Sequence, residues 1–116
     1  MIELDFNKHP DRIIPAIAQD YQSGKVLMLA YVNEDSLKLS IKTNYATYWS
    51  RSRNKLWKKG ESSGNLQQIK EILVDCDLDA VIFRVEQIGG KACHTGKRSC
   101  FFRRIKGNEL EIIEPE

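Results

Sequence analysis

The longest unbroken apolar run in the chain, VLMLAYV at Val26–Val32, is seven residues long, and that length decides what it can be. A helix that spans a bilayer needs about 20 apolar residues, so this run is no membrane span. Bounded by the turn-forming Ser23-Gly24 before it and Asn33 after it, the run reads as a buried strand, and the stretch 13–19 is its expected hairpin partner. Beyond it, Asn33 has the side chain of a helix N-cap, Glu34 and Asp35 suit the positive end of a helix dipole, and Leu37 and Ile41 share a helical face. These signals predict a short helix over Glu34–Thr43, closed by Asn44. From residue 46 onward, aromatic and β-branched side chains predict strands at 46–51, 56–59, 68–74 and 80–88, followed by a glycine-bearing loop and a last strand. The expected architecture is α+β and β-rich: a small mixed or antiparallel sheet, or a barrel-like domain, with one or two short helices.

A chain of 116 residues lies near the usual size of one domain, and no repeat or Pro/Gly/Ser-rich linker divides it, so residues 1–116 are read as a single domain. With 41% apolar and 29% charged residues the composition is that of a globular chain in water. The N-terminal MIELDFNKHPDR has neither the basic start nor the apolar stretch of a signal peptide, and a cytoplasmic location is expected. Its reducing conditions would keep the three cysteines as thiols, available to metals or to chemistry.

In Asp75-Cys76-Asp77-Leu78-Asp79 the carboxylates fall at every second position, so an extended backbone would project them from one side and Cys76 from the other. Hard carboxylate oxygens select Mg²⁺ or Ca²⁺ and soft thiolates select zinc; one short segment could therefore feed two chemically different metal sites. The same aspartates with Glu86 imitate the first, third, fifth and twelfth positions of an EF-hand loop. The imitation fails at the sixth, where Ala80 replaces the required glycine, and in flanks whose β-branched residues suit strands rather than helices.

Cys93 and Cys100 are separated by six residues in a segment loosened by Gly89, Gly90 and Gly96, where Lys91, His94, Lys97 and Arg98 are expected to favour the thiolate form. Three thiolate ligands would leave a tetrahedral zinc one open position for water, which distinguishes a catalytic site from a closed structural one. They also outweigh the charge of Zn²⁺, which calls for a proton carrier nearby. Histidine titrates near neutrality, and His94 is the candidate.

The net charge is only +2, but Arg51, Arg53, Lys55, Lys58 and Lys59 fall within nine residues, and Lys97, Arg98, Arg103, Arg104 and Lys106 form a second basic stretch. In YWSRSR and LWKKGESSGN the cations alternate with aromatics, hydroxyls and glycines, a mixture that can hold phosphate through charge and through closely approaching backbone amides. Arg51, Arg53, Lys58, Ser62, Ser63 and Gly64 are the candidate substrate-binding residues, while Trp49 and Trp57 read as core anchors.

Taken together, IPAIAQD, GKVLMLAYVN, YWSRSR, LWKKGESSGN, VDCDLDA and ACHTGKRSCF resemble the phosphoribosyl-AMP cyclohydrolase family over residues 14–102. Val32 stands where the family pattern has methionine, and Asn65-Leu66-Gln67 varies the usual continuation of its segment; neither touches a candidate ligand. The resemblance implies a hydrolase of histidine biosynthesis that opens the N1–C6 bond of 1-(5-phosphoribosyl)-AMP with a zinc-activated water. It implies zinc on Cys76, Cys93 and Cys100, one ion per subunit shared across an intertwined homodimer, and Mg²⁺ on Asp75, Asp77 and Asp79. His94 would carry protons, and the partner would be a nucleotide rather than a nucleic acid or a membrane. Some members carry a fused pyrophosphohydrolase domain, for which 116 residues leave no room.

Two rival readings make different demands. A zinc-stabilised RNA-binding module would use the basic aromatic segment and the cysteines, and requires closed coordination and salt-sensitive RNA binding. A nucleoside deaminase also adds water at C6 of adenine, but its H-x-E and P-C-x-x-C signatures are missing.

Overall fold

A computed structural model describes residues 3–114. Its elements are β1 (Ile14–Asp20), β2 (Val26–Val32), α1 (Glu34–Thr43), β3 (Thr47–Ser50), β4 (Lys55–Lys58), β5 (Gln67–Val74), β6 (Val81–Gln87), a 3₁₀ turn at Ile88–Gly90, β7 (Arg103–Lys106) and β8 (Glu109–Ile112). Four strands form a sheet in the order β2-β1-β6-β5, parallel between β1 and β6 and antiparallel elsewhere. The sheet is open and mixed, so of the two expected architectures the barrel-like one is set aside.

The core lies on one face of this sheet because both central strands alternate. β1 buries Ile14, Ala16, Ala18 and Asp20, and β6 buries Val81, Phe83 and Val85. Ala18 pairs with Phe83 in the parallel register, a small residue beside a ring. Phe83 packs on Tyr48 with ring centroids 5.7 Å apart, and Tyr48 meets Trp57 at 5.1 Å, so the β3–β4 hairpin is anchored to the sheet through aromatics. Trp57 is therefore a core anchor, as its sequence setting predicts. The buried Tyr48 hydroxyl donates to Gln67 Oε1 at 2.6 Å, which satisfies both groups where water is excluded.

Helix α1 has the predicted bounds and caps. Asn33 Oδ1 accepts from the Ser36 amide while the Ser36 hydroxyl accepts from the Asn33 amide, a reciprocal cap that stabilises the helix by about 1 kcal/mol. Asn44 ends it in the left-handed conformation, φ 62°. Leu37 is buried, but Ser36 and Ser40 fill the rest of the inner face, and Ile41 stays exposed.

The strands predicted up to residue 88 are all present, each end within one residue of its expected place. The expected last strand is instead a hairpin, because Gly107-Asn108 supplies a two-residue turn with Gly107 at φ 64°. It stands off the core: Ile105, Leu110 and Ile112 are 79%, 70% and 58% exposed. Among the described residues no helix is long and apolar enough to cross a membrane.

At the end of β1, Asp20 couples the β1–β2 turn to the 89–100 loop. Its carboxylate accepts from the Ser23 amide at 2.7 Å and faces Arg98 at 3.9 Å. Burial pushes this carboxyl up, but the hydrogen bonds from Ser23 and the charge of Arg98 outweigh it and hold the group below its ordinary 3.8. A carboxyl depressed in the folded state adds stability above its unfolded pKa, and that stability is lost as pH falls through the folded value. Asp20→Asn is accordingly expected to cost about 1 kcal/mol at pH 6, a cost that shrinks as acid titrates Asp20 in the folded protein. Paired thermal melts across that titration check it, and a gap that does not close with acid would contradict the assignment.

Candidate active site

The acidic segment is a turn, not the extended run expected from its alternation. Asp75 Oδ1 accepts from the amides of Asp79 and Ala80, at 2.9 and 3.2 Å, and Leu78 takes a positive φ of 65°, folding 75–80 back on itself. Folding, rather than strand alternation, brings one oxygen from each of Asp75, Asp77 and Asp79 within 4.8 Å of the others. Lys8 Nζ bridges Asp77 and Asp79 at 2.9 and 3.2 Å. The lysine holds the Asp77 carboxyl down at about 2, whereas hydrogen bonding to Asp77 pushes Asp79 up. Three convergent hard oxygens fit Mg²⁺ or Ca²⁺, with Lys8 acting as the counter-cation that such an ion would replace. Strands β5 and β6 flank the turn, which removes the EF-hand alternative. Cys76 is exposed at this turn.

The other two cysteines lie beyond the far end of β6. The Cys93 amide donates to Lys97 O at 3.1 Å and the Gly96 amide to Cys93 O at 3.0 Å, a turn that requires Gly96 at φ 89°. Cys100 is tied to β2 through its amide on Leu27 O at 2.7 Å. Folding the loop this way sets the Cys93 and Cys100 thiols near enough to influence one another, and the Thr95 hydroxyl donates to Cys93 Sγ at 3.0 Å. Burial pushes the Cys93 thiol up, but the Thr95 donors, Cys100 and the charge of Lys59 bring it below the ordinary thiol range. Burial, reinforced by the charge of Cys93, raises Cys100 to about 11. The cation acting on both thiols is Lys59, not the flanking Lys91, His94, Lys97 and Arg98 of the sequence-based expectation. Of those, Lys97 lies over the Phe102 ring at 5.6 Å and Arg98 faces Asp20. His94 is exposed beside Cys93.

In the basic segment Arg51 stacks on Tyr31, 4.1 Å from the ring centroid, and Lys58 lies 5.1 Å from that of Tyr45. Arg53, Ser62, Ser63 and Gly64 are exposed. The Gly64 amide closes the Gly60–Gly64 turn on Gly60 O at 2.8 Å. Asn65 then fills the space over Gly60 and Gly89, linking this loop to the cysteine loop. An added Cβ at Gly60, φ 84°, would lie 2.3 Å from Asn65 backbone carbon, whereas at Gly64 it would meet nothing within 4 Å. Gly60→Ala should therefore cost about 3 kcal/mol, roughly 10 °C in melting temperature, and Gly64→Ala about a third of that. Equal melting temperatures for the two variants would overturn this difference.

Within the chain the candidate residues divide into two groups. Cys93, Cys100 and His94 share a region with the basic loop, while Cys76 stands with the aspartates across β6. Among the described residues the three cysteines do not converge in one chain. The soft thiols of Cys93 and Cys100, carried on one folded loop, are donors of the kind that zinc takes, and among the described residues Cys76 does not join them. Sequence reasoning missed Lys59, Thr95, Asn65 and Lys8. For Lys59 a signal existed: it follows Trp57 by two residues and so shares the face of a core anchor.

A family model described as phosphoribosyl-AMP cyclohydrolase matches residues 28–102. The phosphoribosyl-AMP cyclohydrolase of Desulfotalea psychrophila is 61% identical over 97% of this chain and 88% of its own length. That of Methanosarcina acetivorans is 52% identical over 100% of this chain and 98% of its own. The histidine biosynthesis bifunctional protein of Aquifex aeolicus is 56% identical over 96% of this chain, which spans 53% of it. With the family model spanning both the cysteine loop and the basic loop, and relatives aligned almost end to end, the chain belongs to the phosphoribosyl-AMP cyclohydrolase family.

Proposed function

We propose that the chain hydrolyses the N1–C6 bond of 1-(5-phosphoribosyl)-AMP in histidine biosynthesis, using a zinc ion held by Cys93 and Cys100 of one protomer and Cys76 of a second. The observation that carries this reading is the Cys93–Cys100 thiol pair set against the basic, glycine-bearing loop. When bound, zinc would supply the Lewis acidity that makes a water nucleophilic near neutral pH. The phosphoribosyl group on N1 leaves C6 electron-poor. Water oxygen bonds to C6 and the C6–N1 bond breaks; of the two water protons one goes to N1 and the other to the exocyclic imino nitrogen, so C6 becomes the carboxamide carbon of the product.

The chain's own groups bind, orient and move protons. His94, exposed next to Cys93, takes a proton from the attacking water and returns one to N1. Arg51, Arg53, Lys58, Ser62, Ser63 and Gly64 offer cations, hydroxyls and an amide to phosphate, with Arg51 and Lys58 steadied on Tyr31 and Tyr45. Asp75, Asp77 and Asp79 would hold Mg²⁺, which would supply positive charge for a phosphate-bearing ligand. A homodimer supplies the missing sulfur, and the apolar side chains that β7–β8 leaves exposed support such an interface.

The test is a spectrophotometric ring-opening assay on phosphoribosyl-AMP before chelation, after it, and with zinc restored. Turnover that disappears with the metal and returns with zinc is the expected result. Turnover indifferent to chelation would defeat the metal assignment, and no turnover by zinc-loaded protein would defeat the substrate.

A further inference from the structure

Lys59 is the cation that the cysteine loop is built around. It follows the last residue of β4 and is pinned to the core by its amide, which donates to Ala46 O at 3.0 Å. Its side chain passes the Trp57 ring, 6.0 Å from the centroid, and its ammonium donates to Ala92 O at 2.5 Å. Ala92 is fully buried and immediately precedes Cys93, so this bond fixes the backbone from which the Cys93 side chain leaves. Through Ala92 the ammonium is held at the residue next to Cys93, and among the described residues it pairs with no carboxylate.

A half-buried lysine without an acidic partner is a cost unless something negative needs it. The negative charge it would answer arises when Cys93 and Cys100 hold zinc as thiolates: with a third sulfur their charge outweighs that of Zn²⁺, and one cation held at the same loop restores the balance.

We propose that Lys59 is a positioning residue of the metal centre: its ammonium holds the Ala92–Cys93 backbone in place and offsets the charge of the paired thiolates, without touching substrate. This rests on the zinc reading given above. It separates Lys59 from its neighbour Lys58, which lies over the Tyr45 ring instead.

The test compares zinc-loaded native protein with Lys59→Met and Lys59→Arg. Zinc transfer to an excess of a metallochromic chelator is timed, and kcat and KM are measured with phosphoribosyl-AMP. Lys59→Met should release zinc about tenfold faster and lose about tenfold in kcat, with KM changed less than about twofold; Lys59→Arg, which keeps a cationic donor, should recover most of both. Unchanged zinc release in Lys59→Met, or a rise in KM alone, would overturn the proposal, the latter by making Lys59 a substrate contact. If Lys59→Met does not fold, Lys59→Gln, which retains a donor but no charge, takes its place under the same criteria. Failure of the native protein to hold zinc or to open the ring sinks the functional reading; native behaviour in the neutral variant sinks only the role of Lys59.

Discussion

Cys100→Ser and Cys93→Ser should each remove ring-opening activity, with turnover falling by roughly a thousandfold or more. A metal acting as Lewis acid supplies several kcal/mol to the transition state, and each 1.36 kcal/mol is a factor of ten. Serine is nearly the same size but presents a hard hydroxyl that stays protonated, so it keeps the packing and loses the ligand. The fold has reasons to survive either change. The loop is held by backbone bonds that do not involve sulfur, Cys93 amide to Lys97 O, Ala92 amide to Arg98 O and Cys100 amide to Leu27 O. The variants should therefore melt within a few degrees of the metal-free native protein while failing to retain zinc. Turnover and zinc content measured on the same samples decide the matter, since full activity in a metal-free variant would refute the assignment.

What the sequence revealed and what it hid follow one physical line, the range over which residues interact. The Val26–Val32 strand and helix α1 with both of its caps depend on neighbours within a few positions, and they were legible. The kinship of Cys93 and Cys100 was legible for the same reason, because one short loop brings them together. The Asp75–Asp79 segment misled because alternation suggests an extended chain, whereas the Asp75 carboxylate caps the amides of Asp79 and Ala80 and folds it. Leu78 at positive φ has no counterpart in residue preference. Lys8 on the aspartates and Lys59 on Ala92 join parts of the chain that only the completed fold makes neighbours. The β7–β8 hairpin turns on Gly107-Asn108, a short-range signal that splits what reads as one last strand into two.

The separation of Cys76 from the other two sulfurs leads to the second large effect. Cys76 precedes β6 and the pair follows it, so the seven-residue strand, about 20 Å at ~3.3 Å per residue, lies between them. A three-sulfur site then needs two copies, each giving Cys76 to the other, which is the reciprocity of a two-fold dimer. Interdigitation of the β7–β8 hairpins would supply much of the driving force, since each large apolar side chain taken from water contributes about 1.5–3 kcal/mol. Cys76→Ser and Cys100→Ser homodimers should both be inactive. A mixed dimer should regain one whole site, with Cys93 and Cys100 from the first variant and Cys76 from the second, while its other site lacks both Cys76 and Cys100. Random assembly after co-expression should thus restore about a quarter of native activity, and heterodimer purified through two different tags about half. Zinc content should rise in the same proportion. Were all three sulfurs gathered within one chain, the mixed dimer would stay as dead as its parents.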